Sequence, residues 1–144
     1  MAEAFLNWIG RGRFRGHSAG SQPAGKVNPF ALQLLARNKI GTEGLRSKSG
    51  DEFARPGAPR MAFVFTVCDD AAGEACPVWP GQPVSAHWGV PDPARVRGTD
   101  EEMRKAFVQA FAQLALRVRL FIELPFDKLE RKALEAKVRA IGRE

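Results

Sequence analysis

The feature that most constrains this chain is the apolar run Met61–Val67, which reads MAFVFTV and has Thr66 as its one polar residue. A strand that is apolar at nearly every position is typical of a parallel sheet with both faces covered, because sheets with one wet face alternate apolar and polar residues. Cys68 and Asp69 follow the run directly, at the edge where open α/β sheets bind their ligands. The run therefore predicts a strand, an α/β fold and a candidate site at its carboxyl end.

Further segments with strand and helix patterns alternate along the chain. Two of them, Phe14–Ala19 and Val84–Trp88, are predicted as strands. Helices are predicted at Ala2–Ile9, after the N-cap pair Asn28-Pro29, at Asp51–Ala54, from the capping box Thr99/Glu102 to Pro125, and after the caps Asp127 and Glu130. Strands that alternate with helices favour a layered α/β fold with a largely parallel sheet.

Length and composition narrow the function classes. A chain of 144 residues with 44% hydrophobic residues predicts one domain with a real core. The net charge of +6 favours anionic partners such as phosphate-like oxyanions. A basic surface that binds no specific partner would give the same net charge. No membrane span is predicted, since no run of eighteen apolar residues occurs. No secretory signal is predicted either, since the start MAEAF has no basic n-region and no long apolar stretch, and we expect a cytoplasmic protein.

Two cysteines, Cys68 and Cys76, stand eight residues apart across a segment that contains Gly73. A disulfide needs its two Cα atoms within about 7 Å, which a flexible segment can supply. A thiolate at the carboxyl end of a strand, near backbone N–H groups, can be reactive. The sequence leaves two interpretations open, a redox pair and two buried, inert thiols.

Asp92 lies between Pro91 and Pro93 in a loop that follows His87-Trp88-Gly89. Each proline restricts its own φ and the conformation of the residue before it, so the carboxylate is held in a narrow range of positions. Such a group can act as a general acid for a leaving oxygen. The same local sequence is also compatible with an ordinary loop aspartate that has no catalytic role.

Together these segments resemble a known family. The segments that carry the resemblance, in chain order, are Ser18-Ala19-Gly20-Ser21, Leu45-Arg46-Ser47-Lys48-Ser49, Val64–Asp69, and His87-Trp88-Gly89 through Asp92-Pro93. They are similar to the arsenate reductases built on the low-molecular-weight tyrosine phosphatase fold, over essentially the whole chain. The resemblance implies a three-layer sandwich with a small parallel sheet flanked by helices.

The resemblance also implies a thiol/disulfide cascade that reduces arsenate to arsenite. In the family a first cysteine forms an arsenic adduct, and Asp92 would protonate the leaving oxygen. Cys68 would attack the adduct sulfur and Cys76 would resolve that disulfide. Thioredoxin or a similar thiol reductant would reduce the final bridge. No cofactor or metal is expected.

One part of the family pattern does not occur here. The nucleophile loop has the form Cys-x5-Arg, but Glu74 stands six residues after Cys68, and Gln82 six residues after Cys76. We expect residues 1–144 to form a single domain that is incomplete at its N-terminus, without the first strand, and to be inactive as it stands. A start assigned too late, a truncation and a degenerate paralogue each account for this pattern.

Several other functions remain open. A small tyrosine or aryl phosphatase shares the fold and Asp92 but does not need the cysteine pair. A non-catalytic thiol-bearing binding module would not need the Cys-x5-Arg loop. A zinc site is a further alternative, with the ligands Cys68, Cys76, His17 and His87. The spacing of these residues fits no common zinc finger. Nucleic-acid binding is not expected, because no recognisable motif accompanies the basic residues.

Overall fold

A computed structural model describes residues 1–68 and 79–144. The helices of these ranges are α1 (Ala2–Ile9), α2 (Pro29–Arg37), α3 (Asp51–Ala54), α4 (Asp100–Ile122) and α5 (Arg131–Ile141). The strands are β1 (Phe63–Cys68) and β2 (Val84–Val90), and short 3-10 turns occupy Pro93–Arg95 and Phe126–Lys128. The fold is mixed α/β with a small parallel sheet, as the sequence predicts.

Local capping signals set the starts of the longer helices. The side chain of Asn28 accepts a hydrogen bond of 2.9 Å from the Phe30 amide at the start of α2. Thr99 and Glu102 form the predicted capping box of α4, with the Glu102 amide donating to the Thr99 hydroxyl at 3.2 Å. These contacts satisfy N–H groups that the first helical turn leaves without partners.

The predicted cap of the last helix is wrong in part. Asp127 lies in the 3-10 turn Phe126–Lys128, and α5 begins only at Arg131. Glu130 is the N-cap residue of α5, but its side chain makes no capping hydrogen bond. The backbone turns after Pro125 before it re-enters a helix, so the start of α5 is displaced along the chain.

The sheet consists of β1 and β2, paired in parallel from Phe63 with Val84 to Cys68 with Val90. β2 alternates between buried and more exposed residues, whereas β1 is half-buried and Val67 is 36% exposed. The expectation that both faces of the apolar run are covered is therefore wrong. Within the described ranges β1 has one neighbouring strand, so its other edge lacks the cover that a central strand receives.

The third strand predicted at Phe14–Ala19 does not form. An isolated bridge between Gly20 and Ser49 lies just beyond it. Within the segment, the Gly16 amide donates to the Asn7 side chain at 2.8 Å, and the Asn7 amide donates back to the Gly16 carbonyl at 3.0 Å. The Asn7 side chain of α1 thus makes both of the backbone hydrogen bonds that a neighbouring strand would have made to Gly16. The segment therefore runs beside the helix instead.

The core is centred on Phe121 of α4, which is 3% exposed. Its ring contacts aromatic rings from both strands and from two connecting segments, namely Phe14, Phe63, Phe65, Trp88 and Phe126. This packing fixes the sheet against the C-terminal end of α4. None of the described helices, α4 included, has an apolar stretch long enough to cross a membrane.

Candidate functional site

The carboxyl ends of the two strands form one edge of the sheet. Cys68 ends β1 and is paired with Val90, which ends β2, and the register shifts between Thr66 and Cys68. The Cys68 thiol is half-buried and is free. Asp92 follows two residues after Val90, so both of these predicted site residues leave the sheet at the same edge. This is the edge at which open parallel sheets bind ligands.

The Asp92 carboxylate is fixed by contacts with the turn that follows it. One oxygen accepts a hydrogen bond of 2.9 Å from the Ala94 amide, at the start of the turn Pro93–Arg95. The other oxygen lies 3.8 Å from the Arg95 guanidinium, and the side chain is 37% exposed. An exposed ion pair of this length is weak, so the second oxygen remains accessible to a substrate.

Arg117, on the buried face of α4, anchors the chain just before Asp92. Its guanidinium donates to the Trp88 carbonyl at 2.8 Å, to the Gly89 carbonyl at 3.0 Å and to the Glu144 carbonyl at 3.3 Å. Arg117 is only 3% exposed, and burial lowers the pKa of the guanidinium. The fold therefore places a charge in the interior in order to hold the end of β2 against α4.

Arg117 was not among the residues predicted from the sequence, although a signal was present. The position lies three residues after Leu114 and four before Phe121, both of which are buried on the same face of α4. A charged residue at an inward-facing helical position is informative because charges are rarely buried without partners. Its partners are backbone carbonyls, which residue types do not reveal.

Trp88 is the second anchor at this end of β2. Its indole N–H donates to the Val138 carbonyl of α5 at 2.8 Å. Its ring stacks on Phe65 of β1 with a centroid separation of 3.9 Å. The strand end that leads to Asp92 is thereby attached to α5 through Trp88 and to α4 through Arg117.

A second polar cluster joins two of the segments that carry the family resemblance. Lys48 is 8% exposed, and its ammonium lies 3.7 Å from the Glu3 carboxylate, which also accepts a hydrogen bond from Ser18. The Gly20 amide donates to the Lys48 carbonyl at 3.0 Å. This long-range pairing leaves no periodic signal in the sequence.

The two histidines occupy unlike surroundings. The His17 ring packs against Phe53 with a centroid separation of 5.3 Å. A ring nitrogen of His87 lies 2.6 Å from the Thr66 hydroxyl on the solvent side of the sheet. Within residues 1–68 and 79–144, no three His, Cys, Asp or Glu side chains are grouped as metal ligands.

Cys76 lies outside the described residues, as does Asp69. The pairing of Cys76 with Cys68 therefore stays a prediction from the sequence. Of the three predicted site residues, the structure places Cys68 and Asp92, and it adds Arg117 and Trp88 as the groups that position the Asp92 loop.

Comparison with known proteins agrees with this architecture. Residues 1–138 match the family model described as low molecular weight phosphotyrosine protein phosphatase. A protein of Shouchella clausii named arsenate reductase is 32% identical over 123 residues, which are 85% of each chain. A Bacillus subtilis protein of the same name is 30% identical over 123 residues, again 85% of each chain. The arsenate reductase of Halalkalibacterium halodurans is 33% identical over 107 residues, which are 74% of this chain and 73% of that one.

Proposed function

This chain belongs to the low molecular weight phosphotyrosine protein phosphatase family, and on that premise we propose that it is an arsenate reductase-like protein. The observation that carries the proposal is the arrival of the Cys68 thiol and the Asp92 loop at one edge of a parallel sheet. The relatives named arsenate reductase support arsenate as the oxyanion class. Residues 1–144 act as a single domain in this proposal, in the cytoplasm, where thiols stay reduced.

The cysteine pair supplies the electrons in this proposal. Reduction of arsenate to arsenite takes two electrons, and two thiols that join in a disulfide release two electrons and two protons. The Cys68 thiolate attacks the sulfur of a cysteine–arsenic adduct, and arsenite leaves with the bonding electron pair. Cys76 then attacks Cys68, the adduct cysteine leaves as a thiolate, and a Cys68–Cys76 bridge remains. Thioredoxin or a similar dithiol reduces that bridge.

Asp92 serves as the acid in the same scheme. Loss of an oxygen from arsenate requires a proton, because hydroxide or water leaves more readily than oxide. The Ala94 amide fixes one carboxylate oxygen of Asp92, and the exposed second oxygen carries the proton. Arg117 is a positioning residue in this scheme, since it contacts the strand end and not the substrate.

The adduct-forming cysteine of the family pattern is not among these residues, because neither Cys68 nor Cys76 begins a Cys-x5-Arg sequence. We therefore expect the purified 144-residue protein to turn over neither arsenate nor an aryl phosphate. Thioredoxin-coupled NADPH oxidation with arsenate and release of nitrophenol from its phosphate ester measure the two activities. Sustained turnover of either substrate would refute the expectation.

The redox pair itself can be tested in this protein. Mild oxidation of the reduced protein with diamide should give one intramolecular Cys68–Cys76 disulfide, identified by mass spectrometry of tryptic peptides. The matched variants Cys68→Ser and Cys76→Ser should each retain one free thiol and form no internal bridge. If the wild type keeps two free thiols, or forms only bridges between molecules, the proposed role of the pair is wrong.

A second candidate function is a non-catalytic, thiol-bearing module that binds trivalent arsenic. The lack of a Cys-x5-Arg sequence in the 144 residues favours it, because binding arsenite requires thiolates but no nucleophile loop. Titration of the reduced protein with arsenite distinguishes the two functions. Two results together support the binding module. The reduced protein binds arsenite stoichiometrically and Cys76→Ser does not, and thioredoxin does not reduce the oxidised protein.

A further inference from the structure

A groove of about 340 Å³ runs between α2 and α4, and neither Cys68 nor Asp92 is among its lining residues. Apolar side chains form its floor, among them Phe30 of α2 and Val108 and Phe111 of α4. Val108 is 53% exposed, so an apolar surface is open to solvent there. A volume of this size lies at the lower end of the range of small-molecule sites, about 300–1,000 Å³.

Three arginines line the same groove, namely Arg37, Arg104 and Arg119. All three are exposed, and none forms a salt bridge with a carboxylate that the structure describes. No aspartate or glutamate is among the lining residues. The groove therefore combines an apolar floor with guanidinium groups that form no ion pair with any carboxylate in the part of the chain that the structure describes.

Aromatic rings hold two of these guanidinium groups beside the groove. The Arg104 guanidinium lies 5.6 Å from the centroid of the Phe30 ring, and that of Arg119 lies 5.3 Å from the centroid of the Phe5 ring. A cation that stacks on a ring keeps its N–H groups free to donate in the ring plane. The two arginines are thus ordered without using the hydrogen bonds that would bind an anion.

We propose that the groove between α2 and α4 is a binding site for a small organic anion with an elongated apolar body. Arg104 and Arg119 are fifteen residues apart, which is about 22 Å along a helix at about 1.5 Å per residue. The occupant lies along α4 with its body on Phe30, Val108 and Phe111. Its carboxylate, sulfonate or phosphate group lies at one end of the groove and is bound by the arginine at that end, whose fork-shaped donors match such oxyanions.

The probe pair for this site is anilinonaphthalene sulfonate and N-phenylnaphthylamine, which share an aromatic body and differ in the anionic group. Fluorescence titration gives the Kd of each for the wild-type protein. The test variant carries Arg37→Gln, Arg104→Gln and Arg119→Gln together. The matched control carries Arg11→Gln, Arg139→Gln and Arg143→Gln, which are exposed and lie outside the groove, so both variants lose the same charge.

The test variant should bind the sulfonate about tenfold more weakly than the wild type, as expected for loss of charge-assisted hydrogen bonds. The control variant should bind the sulfonate about as tightly as the wild type, and the uncharged amine should not distinguish the three proteins. Added salt should weaken sulfonate binding to the wild type most. The proposal is overturned by equal losses in the two variants, by unchanged binding in both, or by no binding to the wild type. Circular dichroism checks that all three proteins are equally folded.

Discussion

At the scale of single residues, Arg117 is the clearest case of a conflict between solvation and hydrogen bonding. Burial removes water from its charge, which costs several kcal/mol in real proteins. Against this, its guanidinium satisfies the carbonyls of Trp88 and Gly89 at 2.8 Å and 3.0 Å, and a hydrogen bond to a charged group contributes about 1.5–3 kcal/mol. The Nε of Arg117 has no partner among the described residues, so the hydrogen bonding of this buried group is incomplete.

We expect Arg117→Met to lower the free energy of unfolding by about 2 kcal/mol, because it removes the donor to the carbonyls of Trp88, Gly89 and Glu144. Urea unfolding measures this change. Hydrogen exchange of the Gly89, Val90 and Asp92 amides should also become faster in Arg117→Met, and Arg117→Lys should restore part of the protection. The exposed Arg139→Met is the control and should change neither quantity. Equal or greater stability of Arg117→Met would mean that the desolvation cost dominates at this site.

At the scale of secondary structure elements, signals within a few residues predicted the helices well. The Asn28 cap, the Thr99/Glu102 box and the extent of α1 are set by contacts within one turn, which residue types encode directly. The strand β2 was also predicted, although it extends to Val90, two residues past the expected end.

The elements that differed from the prediction depend on distant partners. Phe14–Ala19 was predicted as a strand, but a strand requires a neighbour, and here the Asn7 side chain bonds to Gly16 in its place. In the candidate site, too, the contacts that depend on distant partners were not predicted. The apolar run predicted the position of Cys68, and the proline pair singled out Asp92, but the Arg117 anchor and the Lys48–Glu3 pair arise from tertiary packing.

The pairing of Asn7 with Gly16 gives a prediction for this corrected element. Asn7→Ala should lower the free energy of unfolding by about 2 kcal/mol, since it removes two hydrogen bonds of about 1 kcal/mol each. Asn7→Asp keeps an acceptor for the Gly16 amide and should lose about half as much. Thermal or urea unfolding measures both variants. No effect of either variant would mean that the segment finds another partner.

At the scale of the whole molecule, the sheet has an edge along β1 that no other described strand covers. β1 is the most apolar segment of the sequence, yet within the described ranges it has one strand neighbour and is only half-buried. An apolar strand edge without charged residues is a template for pairing with another chain. We therefore expect self-association through β1 at high protein concentration.

Val67→Lys should suppress this association, because a lysine on a strand edge opposes pairing between edges. Val108→Lys is the matched control, since it makes the same change at an exposed valine on α4. Sedimentation equilibrium should show a concentration-dependent increase in mass for the wild type and for Val108→Lys, and a monomer for Val67→Lys. A monomeric wild type, or equal association of all three proteins, would show that the β1 edge is not responsible.

The proposed function also belongs to the whole molecule, because it requires Cys68, at the carboxyl end of β1, to form a redox pair with Cys76. The most direct test is reduction of the diamide-oxidised protein by thioredoxin, thioredoxin reductase and NADPH. We predict oxidation of one NADPH per protein molecule, with recovery of both the Cys68 and Cys76 thiols, and none with the Cys76→Ser variant. An oxidised wild-type protein that thioredoxin leaves unreduced, or whose reduction does not depend on Cys76, would contradict the proposal.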